Sequence, residues 1–119
     1  MANLPSTWKT LETVEQLDDI INNSVDKPKL IFKHSVHCST STLIKMKLRA
    51  EWDIDPDTVD FYQLDIINHN NVSSAIETKL GVLHKSPQII MVKNKKATNR
   101  TSHLDISYEF IKKAIEDNL

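Results

Sequence analysis

Apolar residues along this chain alternate between two spacings. "PKLIFK" (28–33), "VDFYQLDI" (59–66) and "QIIMV" (88–92) are short, dense apolar runs, the pattern of strands buried on both faces. Between them the spacing turns helical. "TVEQLDDIINNS" (13–24) sets Val14, Leu17, Ile20 and Ile21 on one helical face, with Thr13 and Gln16 at capping-box spacing. From Ser39 to Trp52 the apolar positions are Leu43, Ile44, Leu48 and Trp52. Over "NNVSSAIETKL" (70–80) they are Val72, Ala75, Ile76 and Leu80, and Gly81 is placed to end that helix. "TWKTL" (7–11) predicts a short first strand and "KNKK" (93–96) a hairpin turn. "ATNRTSH" (97–103) suits an edge strand, and "SYEFIKKAIEDNL" (107–119) predicts a closing amphipathic helix.

The element order is therefore β-α-β-α-β-α-β-β-α. Strands alternating with helices imply right-handed parallel crossovers and an α/β fold with helices on both sheet faces. The final hairpin and helix narrow this to a thioredoxin-like arrangement around a central mixed sheet. With 119 residues and no linker or repeat, a single domain over 1–119 is expected. The active site of such a fold lies where the second strand runs into the second helix. Cys38, the only cysteine, falls at that junction.

Composition closes several other readings. Basic and acidic side chains nearly cancel, to a formal net charge of -1, which argues against the basic face that nucleic acid requires. Gly81 is the single glycine, so neither a phosphate-cradling loop nor a dinucleotide fingerprint can be built. The five histidines show no metal-ligand spacing, and no metal is expected. One cysteine cannot make an internal disulfide, no apolar run is long enough for a membrane span, and the N-terminus carries no signal pattern. A cytoplasmic location is the expectation.

A thiol at a helix N-terminus has a chemical use. The thiolate is the nucleophile, and an unperturbed cysteine is only about 3% ionised at neutral pH. Unpaired N–H groups and the helix dipole favour the anion there. The resulting gain in attack is only about a few-fold, because a less basic sulfur is also less nucleophilic; the larger benefit is a better leaving group. Ser41, one helical turn on, faces the same side. Its hydroxyl can hydrogen-bond the sulfur but cannot form a disulfide with it. The plainer alternative is a small buried cysteine with no chemistry.

Ser86-Pro87 opens the third main strand, where thioredoxin folds place a cis-proline beside the active cysteine. Proline is also simply tolerated at the first position of a strand. If residues 97–103 run antiparallel to the strand after Pro87, "TSHLD" (101–105) returns to the Cys38 end. Ser102, His103 and Asp105 would then help to hold a small thiol, with the start of the last helix aimed at the same pocket. For Asp105 and Ser107, capping of that helix is the expected role. His37 precedes the cysteine but points away from it on an extended backbone. His34 caps the strand end.

With these residues in place, the chain resembles the bacilliredoxin-type, YtxJ-like family of monothiol thioredoxin-fold proteins over nearly its whole length. The likeness rests on "IFKHSVHCSTS", on "YQLDIINHNNVSSAIETKLGVLHKSPQIIMVKN" and on "SHLDIS". Lys33, His34, Ser35, Cys38, Ser41, Ser86-Pro87 and Ser102-His103 match the family pattern. Val36 replaces a threonine, Ser39 a proline and Thr40 an isoleucine; the lost proline removes a rigid first helical position. The resemblance implies a thiol-disulfide oxidoreductase with Cys38 and Ser41 in the catalytic pair and His37, Ser39, Ser86, Pro87, Ser102 and His103 around the substrate. It implies no tightly bound cofactor, bacillithiol as the low-molecular-weight thiol co-substrate, and S-thiolated client proteins as partners. Neither nucleic acid nor membrane is implied. Two other functions stay open on the residues: an iron–sulfur carrier like monothiol glutaredoxins, and a thioredoxin-fold binding module with a silent cysteine.

Overall fold

A computed structural model describes residues 8–119. Five strands form one sheet: β1 (Trp8–Thr10), β2 (Lys29–His34), β3 (Asp60–Asp65), β4 (Gln88–Lys93) and β5 (Lys96–Ser102). Four helices accompany them: α1 (Val14–Asn23), α2 (Ser39–Glu51), α3 (Asn70–Leu80) and α4 (Tyr108–Asp117), with a short 3-10 turn at His103–Asp105. The spatial order is β1-β3-β2-β4-β5. β3 runs parallel to β1 and β2, whereas β4 runs antiparallel to both β2 and β5. This is the mixed sheet of the thioredoxin-like arrangement. Thr7, the first residue of the expected "TWKTL" strand, lies outside the described residues.

The dense apolar runs are buried because both faces of the sheet are covered. Leu30, Phe32, Phe61, Ile89 and Met91 pack with Ile44 and Leu48 of α2 and Ile111 of α4. Ile31, Leu64, Ile90 and Val92 point the other way, onto Leu17 and Ile20 of α1 and Val72 and Ile76 of α3. Strand alternation thus divides one apolar run between two cores. Trp8 stacks on Phe61 at 4.5 Å between ring centroids, and Trp52 meets both edge-on. No helix among the described residues is long and apolar enough to cross a membrane.

Local chemistry sets the element ends. Thr13 accepts the N–H of Gln16 at 3.0 Å, and the Gln16 side chain accepts the N–H of Glu12 at 2.8 Å, one residue before the position a standard capping box would use. Gly81 ends α3 in the left-handed region, at φ 67°. In α2 the buried face is Ser41, Ile44 and Leu48. Leu43, expected on that face, is 47% exposed instead, because the inward face runs through 41, 44 and 48 and leaves 43 to its side.

The β4–β5 turn has just two residues, Asn94 and Lys95, both at positive φ (53° and 66°). Their N–H groups donate to the backbone oxygen and hydroxyl of Ser24, which ties the hairpin to the end of α1. Lys95 carries a Cβ in a conformation that glycine adopts freely. Lys95→Gly is expected to stabilise the fold by about 0.5–1 kcal/mol, read as a higher urea midpoint with an unchanged slope.

At the opposite end of the sheet from Cys38, Asp60 sits among Lys9, Lys27 and Lys29, and Lys29 is nearly buried. Burial raises the Asp60 carboxyl, but hydrogen bonds from Lys29 and Lys27 and the charges of Lys29 and Lys9 outweigh it and hold it at about 2. A depressed carboxylate stabilises the fold above its unfolded value near 4, and the contribution fades as pH falls towards 2. With solvent screening this is worth about 1–2 kcal/mol. Asp60→Asn is expected to lose that amount at pH 7 and to lose less against wild type at pH 2, as measured by urea unfolding at both pH values.

Candidate functional site

β2 delivers Cys38 to the carboxyl end of the sheet. The chain turns after His34, and the Cys38 N–H closes that turn on the Ser35 carbonyl at 3.1 Å. Cys38 then occupies the N-cap of α2 with an extended backbone (φ −108°, ψ 117°), and Ser39 is the first helical residue. A serine in the proline position therefore still starts the helix there. An N-cap side chain lies beside the unpaired N–H groups of the first turn. Cys38 makes no side-chain cap hydrogen bond, but the nearness of the Ser41 N–H above all, then of the Ser41 hydroxyl and the Thr40 N–H and hydroxyl, lowers the thiol's pKa against the opposing effect of burial. Cys38 itself is partly exposed, so the sulfur is both stabilised as an anion and reachable.

Ser41 is 1% exposed. Its oxygen accepts the Ser35 N–H at 3.3 Å, and its hydroxyl is among the groups that lower the Cys38 pKa. One side chain thus braces the strand-end turn beside the thiol. His37 is exposed, and its backbone N–H donates to the Ser35 hydroxyl. His34 is buried, with its ring 5.5 Å from that of Phe32. Burial, then the charge of Lys45, pushes its pKa down to about 4 against the pull of Asp65, so the ring is neutral at pH 7.

The Ser86–Pro87 peptide bond is cis. Gln88 pairs with Lys33 in the β2–β4 register, which puts Pro87 at the Cys38 end of the sheet. The Pro87 carbonyl accepts the His103 N–H at 2.9 Å, and Gln88 is in register with Ser102. His103 reaches that carbonyl with a left-handed backbone, φ 55°, and the 3-10 turn it begins packs against α2. Cys38, Ser86, Pro87, Ser102 and His103 therefore converge from three loops at one end of the sheet.

Two expectations need correction. The last helix does not start at the Cys38 pocket: the 3-10 turn carries the chain on, and Ser107 and Tyr108 line a groove against Leu43–Glu51 of α2. Ser107 caps α4 by accepting the Phe110 N–H at 3.0 Å, whereas Asp105 caps nothing. Asp105 instead lines a cavity of about 410 Å3 with Leu83, Lys85, Gln88, Arg100, Thr101 and Ser102. Of the residues expected around a small thiol, Ser102 and Asp105 line it and His103 does not. No group of three or more His, Cys, Asp or Glu among the described residues is placed to hold a metal ion.

Residues 9–111 match the family described as monothiol bacilliredoxin BrxC. The chain belongs to that family. As a bacilliredoxin-family member it is a monothiol redox protein, and solved structures agree on its fold. A solved structure described as having a thioredoxin fold superposes with a TM-score of 0.74 at 24% identity, covering 91% of this chain and 93% of its own. Thioredoxin from Malassezia sympodialis gives 0.73 at 14% identity, covering 99% and 92%, and Fasciola hepatica thioredoxin 0.72 at 17%, covering 93% and 99%. At such identities the likeness is one of fold. No curated protein gives a significant match.

The bacilliredoxin-family pattern also includes a side chain whose surroundings sequence reasoning did not reach. Lys33 is fully buried, with its Nζ 2.7 Å from His84 Nδ1 and 3.3 Å from Gln88 Oε1. His84 enters the sequence reading only as one of five histidines without metal-ligand spacing. The available signal was a lysine directly after the apolar Leu30–Phe32, at a strand position expected to be buried, since a buried ammonium must find acceptors.

Proposed function

We propose that the protein is a monothiol thiol-disulfide oxidoreductase that removes a low-molecular-weight thiol, bacillithiol, from mixed disulfides with protein cysteines. The observation that carries this reading is a lone, partly exposed cysteine at a helix N-cap, beside the Ser41 and Thr40 groups that lower its pKa, with a serine where a resolving thiol would sit. The Cys38 thiolate attacks the small-thiol sulfur of the mixed disulfide. An S–S bond forms to Cys38, the original S–S bond breaks, and the client sulfur leaves as thiolate to take a proton. A second small thiol, as its thiolate, then attacks the outer sulfur of the adduct. It forms the small-thiol disulfide and expels Cys38 as thiolate. The client sulfur is reduced and the incoming small thiol is oxidised, the first small-thiol sulfur staying at the disulfide level throughout, so the electrons balance without a second protein cysteine.

Exposed apolar side chains on the three converging loops, Val36, Leu83 and Leu104, support docking of a protein client. The proposal is tested by following client-thiol release from a bacillithiolated model protein. Turnover is expected only when bacillithiol is supplied, with about one equivalent of client released in its absence. Multiple turnovers without any added thiol would overturn the cycle.

The same geometry sets a pH profile. Thiolate fraction rises with pH through a midpoint below that of an ordinary cysteine. Ser41→Ala keeps the backbone donors but loses the hydroxyl, so the midpoint is expected to move up and the iodoacetamide reaction at pH 6 to slow. Absorbance at 240 nm against pH reads the midpoint directly, and an unmoved midpoint would remove Ser41 from the mechanism.

A further inference from the structure

Lys33 follows the buried apolar residues Leu30–Phe32 of β2 and is itself fully buried, where a methionine would fill the space with less desolvation cost. Its environment says what the charge holds. The ammonium can only donate. Its partners are His84 Nδ1 at 2.7 Å, in the loop after α3, and Gln88 Oε1 at 3.3 Å, its register partner on β4. Gln88 Nε2 donates onward to the Leu83 carbonyl at 3.2 Å. From α3, the Ser73 hydroxyl lies 3.1 Å from the same His84 nitrogen, and the Glu77 carboxylate accepts the His84 backbone N–H at 2.8 Å. These contacts fall on the two residues immediately flanking the Lys85–Pro87 segment and on Leu83 before them. Lys33 lies on β2, five residues before Cys38.

We infer that Lys33 is a positioning residue that ties the strand delivering Cys38 to the loop delivering Ser86–Pro87, using His84 Nδ1 and Gln88 Oε1 as acceptors. The inference rests on the proposed role of Cys38 for its functional meaning, but the tie itself is a statement about hydrogen bonds. A donor-only partner fixes the His84 tautomer, with its proton on Nε2. Burial lowers Lys33 to about 8, with Glu77 opposing, so the ammonium form persists at pH 7. Burial and then the Lys33 charge lower the His84 pKa, again with Glu77 opposing, which keeps the ring a neutral acceptor.

The test compares wild type with Lys33→Met, His84→Leu and His84→Asn. Asparagine keeps an acceptor near the Nδ1 position, and leucine does not. Release of a client thiol from a bacillithiolated protein is expected to fall about tenfold or more in Lys33→Met and His84→Leu and to recover in His84→Asn, a loss of about 1.4 kcal/mol of transition-state stabilisation. Iodoacetamide alkylation of Cys38, which needs no docking loop, is expected to change far less. Equal turnover in all four proteins, or His84→Asn no better than His84→Leu, overturns the tie. If Lys33→Met does not fold, the His84 pair decides alone, since His84 is on the surface. If wild type releases no client thiol, the proposed function fails instead. The tie is then read by 15N NMR of His84: an Nε2–H tautomer in wild type that persists in Lys33→Met overturns it, and one that is lost supports it.

Discussion

Cys38→Ser is expected to reduce client-thiol release to the rate of uncatalysed thiol exchange, a loss on the order of a thousandfold or more. A serine hydroxyl at the same N-cap is un-ionised at neutral pH, and its oxygen cannot become one end of a disulfide. The chain has no second cysteine that could substitute. The fold is not expected to suffer, since Cys38 is partly exposed and serine is itself a favoured N-cap. Matched circular dichroism and urea midpoints would establish that. A folded Cys38→Ser protein that still released client thiol would move the chemistry off the sulfur.

The largest expected effect on stability is at Phe32. It is fully buried, its ring lies 6.4 Å from that of Phe61 and 5.5 Å from that of His34, and its strand leads directly to Cys38. Phe32→Ala removes the ring from between α2 and α4 and leaves a cavity that a close-packed sheet face closes poorly. The expected cost is about 3–5 kcal/mol. Against a total of about 5–15 kcal/mol for a domain this size, that brings the protein near its unfolding threshold. Urea unfolding followed by tryptophan fluorescence checks it, because Trp8 and Trp52 flank the same core. A loss below about 1 kcal/mol would contradict the packing described.

Much of this was legible in the residues. Each strand run and each helical stretch is where its spacing put it, because burial on two sheet faces writes itself into short apolar runs. Thr13, Gly81, Ser107 and the "KNKK" turn announce element ends through local chemistry, which needs no tertiary information. Less legible was whatever depended on distant partners. Leu43 fits a helical apolar pattern, yet the register of α2 on the sheet buries Ser41 in preference. The 3-10 turn at His103–Asp105 exists because His103 reaches the Pro87 carbonyl, a contact no local pattern encodes. Lys33 and His84 lie 51 residues apart, and only the sheet register and the loop path bring them together.

The claim that Cys38 works alone, with a small thiol as the second sulfur, is tested most directly by the mass of the protein after a single turnover. Wild type is mixed with one equivalent of bacillithiolated client, without free thiol, quenched in acid and weighed intact. The account predicts Cys38 carrying one bacillithiol and the client free. A disulfide joining Cys38 to the client would mean attack at the other sulfur. An unmodified Cys38 beside an unchanged client would contradict the account altogether.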